Sequence, residues 1–186
     1  LLARQPGMQY TANGGPGTNS GIFIRGASAK QSIVLIDGVR FGSATTGDAA
    51  LSRIPLSQVE RIEILRGPAS SLYGADAIGG VIQIFTKRGN GEPQFNASTG
   101  FGTYNTNETS IGISGGNEIV SYSLQGGYYE TDGFSAIHNK RNSSYNRDSD
   151  GYRNNSLTGS LTVRPQQGHE IGANFFVSDG TSRSDS

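Results

Sequence analysis

From Gln94 onward the sequence alternates apolar and polar residues with period two, strand after strand, and this pattern constrains the fold more than any other feature. In "IVSYSLQGGYY", Val120, Tyr122, Leu124, Gly126 and Tyr128 alternate with Ser121, Ser123, Gln125 and Gly127. In "NSLTGSLTV", Leu157, Leu161 and Val163 oppose Ser156, Thr158, Ser160 and Thr162, and "FNASTGF", "SIGIS" and "HEIGANFFVS" repeat the split more weakly. Five amphipathic strands therefore follow one another. A soluble sandwich also alternates. Its solvated face, however, would be rich in Lys and Glu, whereas here the polar face is mostly Ser, Thr, Asn, Gln and Gly, which suits a crowded, wet interior. Apolar residues toward lipid and polar ones toward a lumen are the pattern of an outer-membrane β-barrel, and we prefer that reading. The tight turns "GGNE" (115–118) and "RPQQG" (164–168) fall at one rim. "TYNTN", the polar loop 132–152 and the final "SDGTSRSDS" fall at the other, the asymmetry expected of such barrels. Five strands cannot close a barrel, so the chain is expected to be a fragment, or to have most of its barrel outside these residues.

Residues 1–89 have a different texture, in which short apolar runs ("GIFIRG", "QSIVLIDGVRF", "VERIEILRG", "GGVIQIFTK") alternate with Gly-rich turns. Asp37-Gly38 predicts a tight hairpin, because both turn positions need positive φ. "IPLSQVERIEI" is expected to begin with a short helical turn. The whole reads as a small α+β domain that ends at "KRGNGEP", which places the boundary near residue 89, with 90–186 forming the barrel strands. The crowding of Gly and Ala in "GPASSLYGADAIGG" (67–80) requires that backbone press closely on this stretch or turn tightly within it.

Composition excludes several function classes. Lys+Arg 15 against Asp+Glu 15 leaves no net charge, so a nucleic-acid partner is not indicated. The charge is nonetheless divided, about +4 over residues 1–89 and −4 over 90–186, as suits two parts that attract each other. Absence of Cys removes disulfides and thiolate metal sites. No signal peptide is visible in "LLARQPGMQY". "GGPGTNSG" lacks the Gly-Lys-Ser/Thr of a phosphate loop, His138 and His169 have no paired ligands, and no nucleophile, base and acid can be assembled. An enzyme is therefore not expected.

"IFIRG" (22–26), "VLIDGVR" (34–40) and "VERIEILRGPASSLYGADAIGGVIQIFTKRG" (59–89) resemble, in order and spacing, the plug domain of TonB-dependent outer-membrane receptors. The resemblance implies an α+β plug inside a 22-stranded antiparallel transmembrane β-barrel, here with the plug at 1–89 and the first five strands at 90–186. It implies active transport of a scarce ligand across the bacterial outer membrane, with energy delivered by TonB through an N-terminal segment that would precede Leu1. Outer-membrane lipid, and a surface lipoprotein, would be further partners.

Within the family, "TANGGPGTNSGIFIRG" and "FGSATTGDAALSRIP" resemble the two apical plug loops of cobalamin receptors. Mapped by motif, Asn13, Thr18, Asn19 and Ser20, with Phe41, Ser43, Thr45 and Thr46, would face a large amide-rich ligand, a corrinoid. Iron siderophores, haem or glycans are the alternative ligands, and a soluble β-rich binding domain is a third reading. In "NRDSDGYRNN", Asn146, Asp148 and Asp150 recur at every second residue before Gly151, as in the first half of an EF-hand loop, but Leu157 stands where that loop needs Glu. Cobalamin receptors hold calcium with acidic residues in equivalent loops; Asp148 and Asp150 match by position, and Asp179 is the expected third ligand. Arg25, Arg61, Glu63 and Arg66 belong to recurrent plug motifs and are expected to dock the plug against lumen acids.

Overall fold

Short runs of Ile, Val and Leu punctuated by Gly form the strands of the first half of the chain in the computed structural model, which describes residues 2–12, 14–18, 20–42, 49, 51–68, 70–74, 76–134, 150–166 and 168–183. Two compact units emerge. The first comprises residues 1–13, 18–52 and 59–86, and the second residues 14–17, 53–58 and 87–186. The chain thus changes unit at Thr86/Lys87, and two short segments from the first half group with the later strands.

The first unit holds β1 (Met8–Ala12) paired antiparallel with β2 (Ser20–Ile24). Beside them is a four-stranded mixed sheet of β3 (Ser32–Ile36), β4 (Val39–Arg40), β5 (Val59–Arg66) and β6 (Gly80–Thr86), in the order β4-β3-β6-β5. Only the β3–β6 pairing in that sheet is parallel. These central strands read as nearly unbroken apolar runs because they are buried on both faces. Ile24, Ile33, Val34, Val81, Ile82 and Ile84 form the core.

The expected hairpin is present: Asp37 (φ 47°) and Gly38 (φ 86°) both occupy left-handed backbone conformations and join β3 to β4. The Asp37 carboxylate also accepts from the Thr86 backbone N–H (3.1 Å) and Thr86 Oγ1 (2.6 Å), tying the turn to the end of β6. Asp37→Ala should therefore lose two hydrogen bonds and strain the backbone, costing roughly 2–3 kcal/mol, read as a lowered denaturation midpoint. An unchanged midpoint would mean the brace contributes nothing.

The small-residue stretch 67–80 contains a four-residue helix, α1 (Ser70–Tyr73), and then returns tightly into β6. A Cβ at Gly79 would meet Ala27 Cβ at 2.7 Å and Ser32 Oγ at 2.9 Å, and one at Gly80 would strike the Leu65 carbonyl. Close backbone approach, rather than turning alone, is what requires glycine here.

The second unit is an antiparallel meander of β7 (Gln94–Gly102), β8 (Thr106–Gly116), β9 (Val120–Thr131), β10 (Tyr152–Gln166) and β11 (His169–Ser182), ordered β11-β10-β9-β8-β7. The five expected strands are all present. The later ones run to 15 and 14 residues, longer than the minimum a tilted membrane strand needs.

Candidate functional site

The register of the meander sorts its side chains into two faces. Ile111, Ile113, Tyr122, Leu124, Leu157, Leu161, Phe175 and Val177 share one face, since Ile113 pairs with Leu124, Leu161 with Tyr122, and Leu157 with Val177. Ser123, Gln125, Asn154, Ser156, Thr158 and Thr162 share the other. Exposure is the reverse of a soluble sheet: Leu161 is 50% and Phe101 82% exposed, whereas Gln125 is 4% and Thr158 3% exposed. On β9 and β10 the polar face is covered and the leucines of the apolar face are exposed, whereas β7 is exposed on both faces.

Residues 53–58 account for part of that cover. Leu56–Gln58 form the expected helical turn before β5, and Gln58, 1% exposed, sends its Nε2 to Ser156 Oγ (2.9 Å) and the Gln125 carbonyl (3.4 Å). Asn154 Nδ2 (3.3 Å) and Ser178 Oγ (3.0 Å) both donate to the Arg53 carbonyl. Gly127 gives this hook room, for a Cβ there would lie 2.8 Å from Ser156 Oγ and 3.3 Å from Gln58 Nε2. Small uncharged polar residues on this face thus serve as hydrogen-bonding partners for another chain segment, which is why Lys and Glu are scarce on it.

The long-loop rim holds a second cluster. Tyr152, on the polar face and 4% exposed, packs against Tyr129 (centroids 6.0 Å). Its ring occupies the space beside Gly17 (φ 87°), so closely that no Cβ fits there. Tyr104 and Phe134 approach at 5.5 Å, and a Cβ at Gly15 would touch Phe134 at 3.9 Å. Thr131 Oγ1 knits the rim together, receiving a bond from Thr106 Oγ1 (2.8 Å) and from the Gly133 N–H (3.2 Å) and donating to the Tyr104 carbonyl (3.2 Å). Gly15 and Gly17 of the first expected ligand loop therefore lie against aromatic rings.

The residues expected at the ligand distribute unevenly. Thr18 and Phe41 are half-buried; the Phe41 N–H donates to the Val34 carbonyl (2.8 Å) just after β4. Ser20 opens β2, and its Oγ is buried without a hydrogen bond among the described residues. Asn13, Asn19, Ser43, Thr45 and Thr46 lie outside the described residues, as does Asp148. Among the described residues no group of three His, Asp or Glu side chains could hold a metal ion. Asp150 stands just before β10, whereas Asp179 pairs with Asn155 on the apolar face of β11. Ser182 is the partner of Tyr152, so Asp179 lies three residues, about 10 Å, farther along the strand. Tyr152 and Asp179 are thus on opposite faces.

Of the expected docking residues, Arg61 Nε donates to Glu63 Oε1 (2.8 Å), and its guanidinium lies 3.7 Å from the Phe85 ring centroid. Both partners are more than half exposed, and such a pair contributes about 0–1 kcal/mol. Arg25 (φ 52°) turns the chain after β2, its N–H donating to the Gly7 carbonyl (2.8 Å). Arg66 Nε is buried with no hydrogen bond among the described residues.

The sequence reading did not pick out Arg53, Gln58, Tyr129 or Tyr152. An available signal for the tyrosines was their phase, since each interrupts the polar series of its strand with an aromatic. Nothing in "RIPLSQ" marked the hook.

An α+β unit with parallel β3–β6 pairing, followed by a meander whose polar face holds a segment from earlier in the chain, defines the class of protein. Residues 1–81 match the TonB-dependent Receptor Plug Domain, and the chain belongs to the TonB-dependent receptor family. Over 161 residues it is 38% identical to the vitamin B12 transporter BtuB of Vibrio vulnificus, covering 87% of this chain and 26% of that protein. Among solved structures, the siderophore receptor PirA of Acinetobacter baumannii matches 97% of this chain and 29% of its own, with TM-score 0.77 and 27% identity. The ferric enterobactin receptor PfeA of Pseudomonas aeruginosa, solved with enterobactin, matches 95% and 30%, with TM-score 0.72 and 28% identity. The chain spans about a quarter of the length of the curated relative it matches.

Proposed function

We propose that the protein containing this chain is a TonB-dependent active transporter of the bacterial outer membrane and that its ligand is cobalamin or a related corrinoid. The inverted burial of the meander supports the transporter reading, because only a lipid surround on one side and a filled lumen on the other satisfies both faces. The corrinoid rests on the likeness to the vitamin B12 transporter and on the aromatic rings packed against Gly15 and Gly17. Asn13, Thr18, Asn19 and Ser20, with Phe41, Ser43, Thr45 and Thr46, are its proposed contacts. TonB supplies the energy, and a surface lipoprotein is a further proposed partner. Arg25, Arg61, Glu63 and Arg66 are proposed to dock the plug in the barrel, with Arg66 as the member that has unmet hydrogen-bonding capacity. Calcium is proposed to order the long loop through Asp148 and Asp150; Asp179 joins that site only if the β11 rim rearranges. A siderophore is the second reading, favoured by the two receptor structures above.

The test is equilibrium binding of cyanocobalamin to outer membranes carrying the intact protein, with ferric enterobactin as competitor. Saturable cyanocobalamin binding that falls roughly tenfold when calcium is chelated is expected, within the usual range of coupling between two sites. Binding of ferric enterobactin instead would transfer the assignment to siderophores, and calcium-independent binding would remove the metal alone.

A further inference from the structure

At the β1–β2 hairpin it is the tip that is buried, not the strand leading to it. Only Met8 of β1 is buried, and the residues that follow it are exposed. Beyond them Gly15 is buried and Gly14, Pro16, Gly17 and Thr18 are half-buried, although a connecting loop normally lies open to solvent. Residues 14–17 group with the meander, whereas the chain on either side of them belongs to the first unit. A group on the meander must therefore hold these four residues.

Tyr152 is that group. Pro16 followed by Gly17 at φ 87° is the pattern of a type II turn, so the shape of the tip is set locally. Its position is not. A Cβ at Gly17 would overlap Tyr152 at Cγ, Cδ2 and Cε2, which puts one side of the ring directly against the turn. A Cβ at Gly180 would lie 2.9 Å from the Tyr152 hydroxyl and 3.4 Å from Cε2, so a second glycine, on β11, clears space for the same ring. Tyr129 packs against it as well. Tyr152 opens β10 on backbone paired to Thr131 and Ser182, and a ring carried between two strands cannot swing away.

We propose that Tyr152 is a positioning residue for ligand capture: its ring, seated between Gly17 and Gly180, fixes the tip of the β1–β2 loop and with it Thr18 and Ser20, which follow in the chain. The inference rests on the reading of Thr18 and Ser20 as ligand contacts, and it assigns Tyr152 no contact of its own. A loop held in its binding arrangement before the ligand arrives binds more tightly, because apparent affinity scales with the fraction of molecules that are competent. Releasing the loop slows association and leaves dissociation nearly unchanged, since the bound contacts are the same.

Cyanocobalamin association and dissociation, measured per inserted molecule on outer membranes carrying the intact protein, test it, together with the mobility of a nitroxide attached through Thr18→Cys. Tyr152→Phe keeps the ring and should bind within about twofold of the unaltered protein. Tyr152→Ala should bind at least about tenfold more weakly, almost wholly through slower association, and should free the nitroxide. Gly17→Ala should do the same by pushing the tip off the ring. In the Tyr152→Ala background Gly17→Ala should have an effect at least about fivefold smaller, because its backbone strain is common to both backgrounds and cancels. Unchanged affinity with an immobile nitroxide in Tyr152→Ala, or strictly additive effects at the two positions, would overturn the proposal. So would a loss expressed as faster dissociation, which would make Tyr152 a ligand contact. Should Tyr152→Ala not reach the membrane, Gly17→Ala decides, and unchanged binding there overturns the proposal. If the unaltered protein binds no cyanocobalamin while Tyr152→Ala still frees the nitroxide, the corrinoid reading fails and the seat of the loop stands.

Discussion

Replacing Leu161 with Arg is expected to remove most of the intact protein from the outer membrane. Leu161 is at the middle of β10, paired with Tyr122 on one side and Ala173 on the other, and its side chain is half exposed on the apolar face. In water an Arg at an exposed strand position shifts stability by no more than about 0.5 kcal/mol. At the middle of a bilayer the same change costs about 2–4 kcal/mol, because the guanidinium must leave water or drag water in with it. Asn155→Arg lies on the same face six residues nearer the rim, where the cost falls to about 0–1 kcal/mol. Membrane fractionation of the two variants should show Leu161→Arg depleted and Asn155→Arg near normal. Equal recovery of both would mean that this face meets water or protein instead of hydrocarbon.

A similarly large effect is expected inside the first unit for Gly80→Val. A side chain at Gly80 would overlap the Leu65 carbonyl, and backbone on two hydrogen-bonded strands cannot move aside as a flexible side chain can. The neighbouring Ile24 Cδ1, at 3.2 Å from the added Cβ, belongs to a residue with no exposed surface. Relief would have to separate β5 from β6, so a loss of about 3 kcal/mol or more is expected. Gly74→Ala is the informative contrast. Gly74 also has positive φ (94°), but a Cβ there meets nothing within 4 Å, so only the backbone term of about 1 kcal/mol applies. Limited proteolysis of the intact protein should cut residues 59–86 much faster in Gly80→Val than in Gly74→Ala. Comparable rates would show that turning, rather than crowding, is what the glycines of this stretch provide.

The contrast between these glycines separates what was legible in the chain from what was not. Alternation in β9 and β10 identified the meander and its two faces because side-chain direction along a strand has a fixed period of two, independent of anything distant in sequence. Asp37-Gly38 identified its hairpin for an equally local reason, the positive φ that both residues adopt. The crowding of glycines at 67–80 was equally visible, yet it did not say which of them met a neighbour and which merely turned. That depends on Ser32 and Leu65, brought in by strand pairing, and on Ala27, held in the turn after β2.

The candidate site was less legible than the fold. Its polar face could be read from composition, but its occupant could not: Gln58 reaches Ser156 across 98 residues, and Arg53 reaches Ser178 across 125. Tyr152 meets Gly17 in the same way. The sequence by itself determined the strands of the meander, their facing and the family, because each follows from local periodicity or from an ordered set of motifs. Only the tertiary structure decided that residues 14–17 and 53–58 join the meander, and that Asp179 stands on its apolar face, since register and long-range packing are properties of the folded chain and leave no periodic trace in the segments they join.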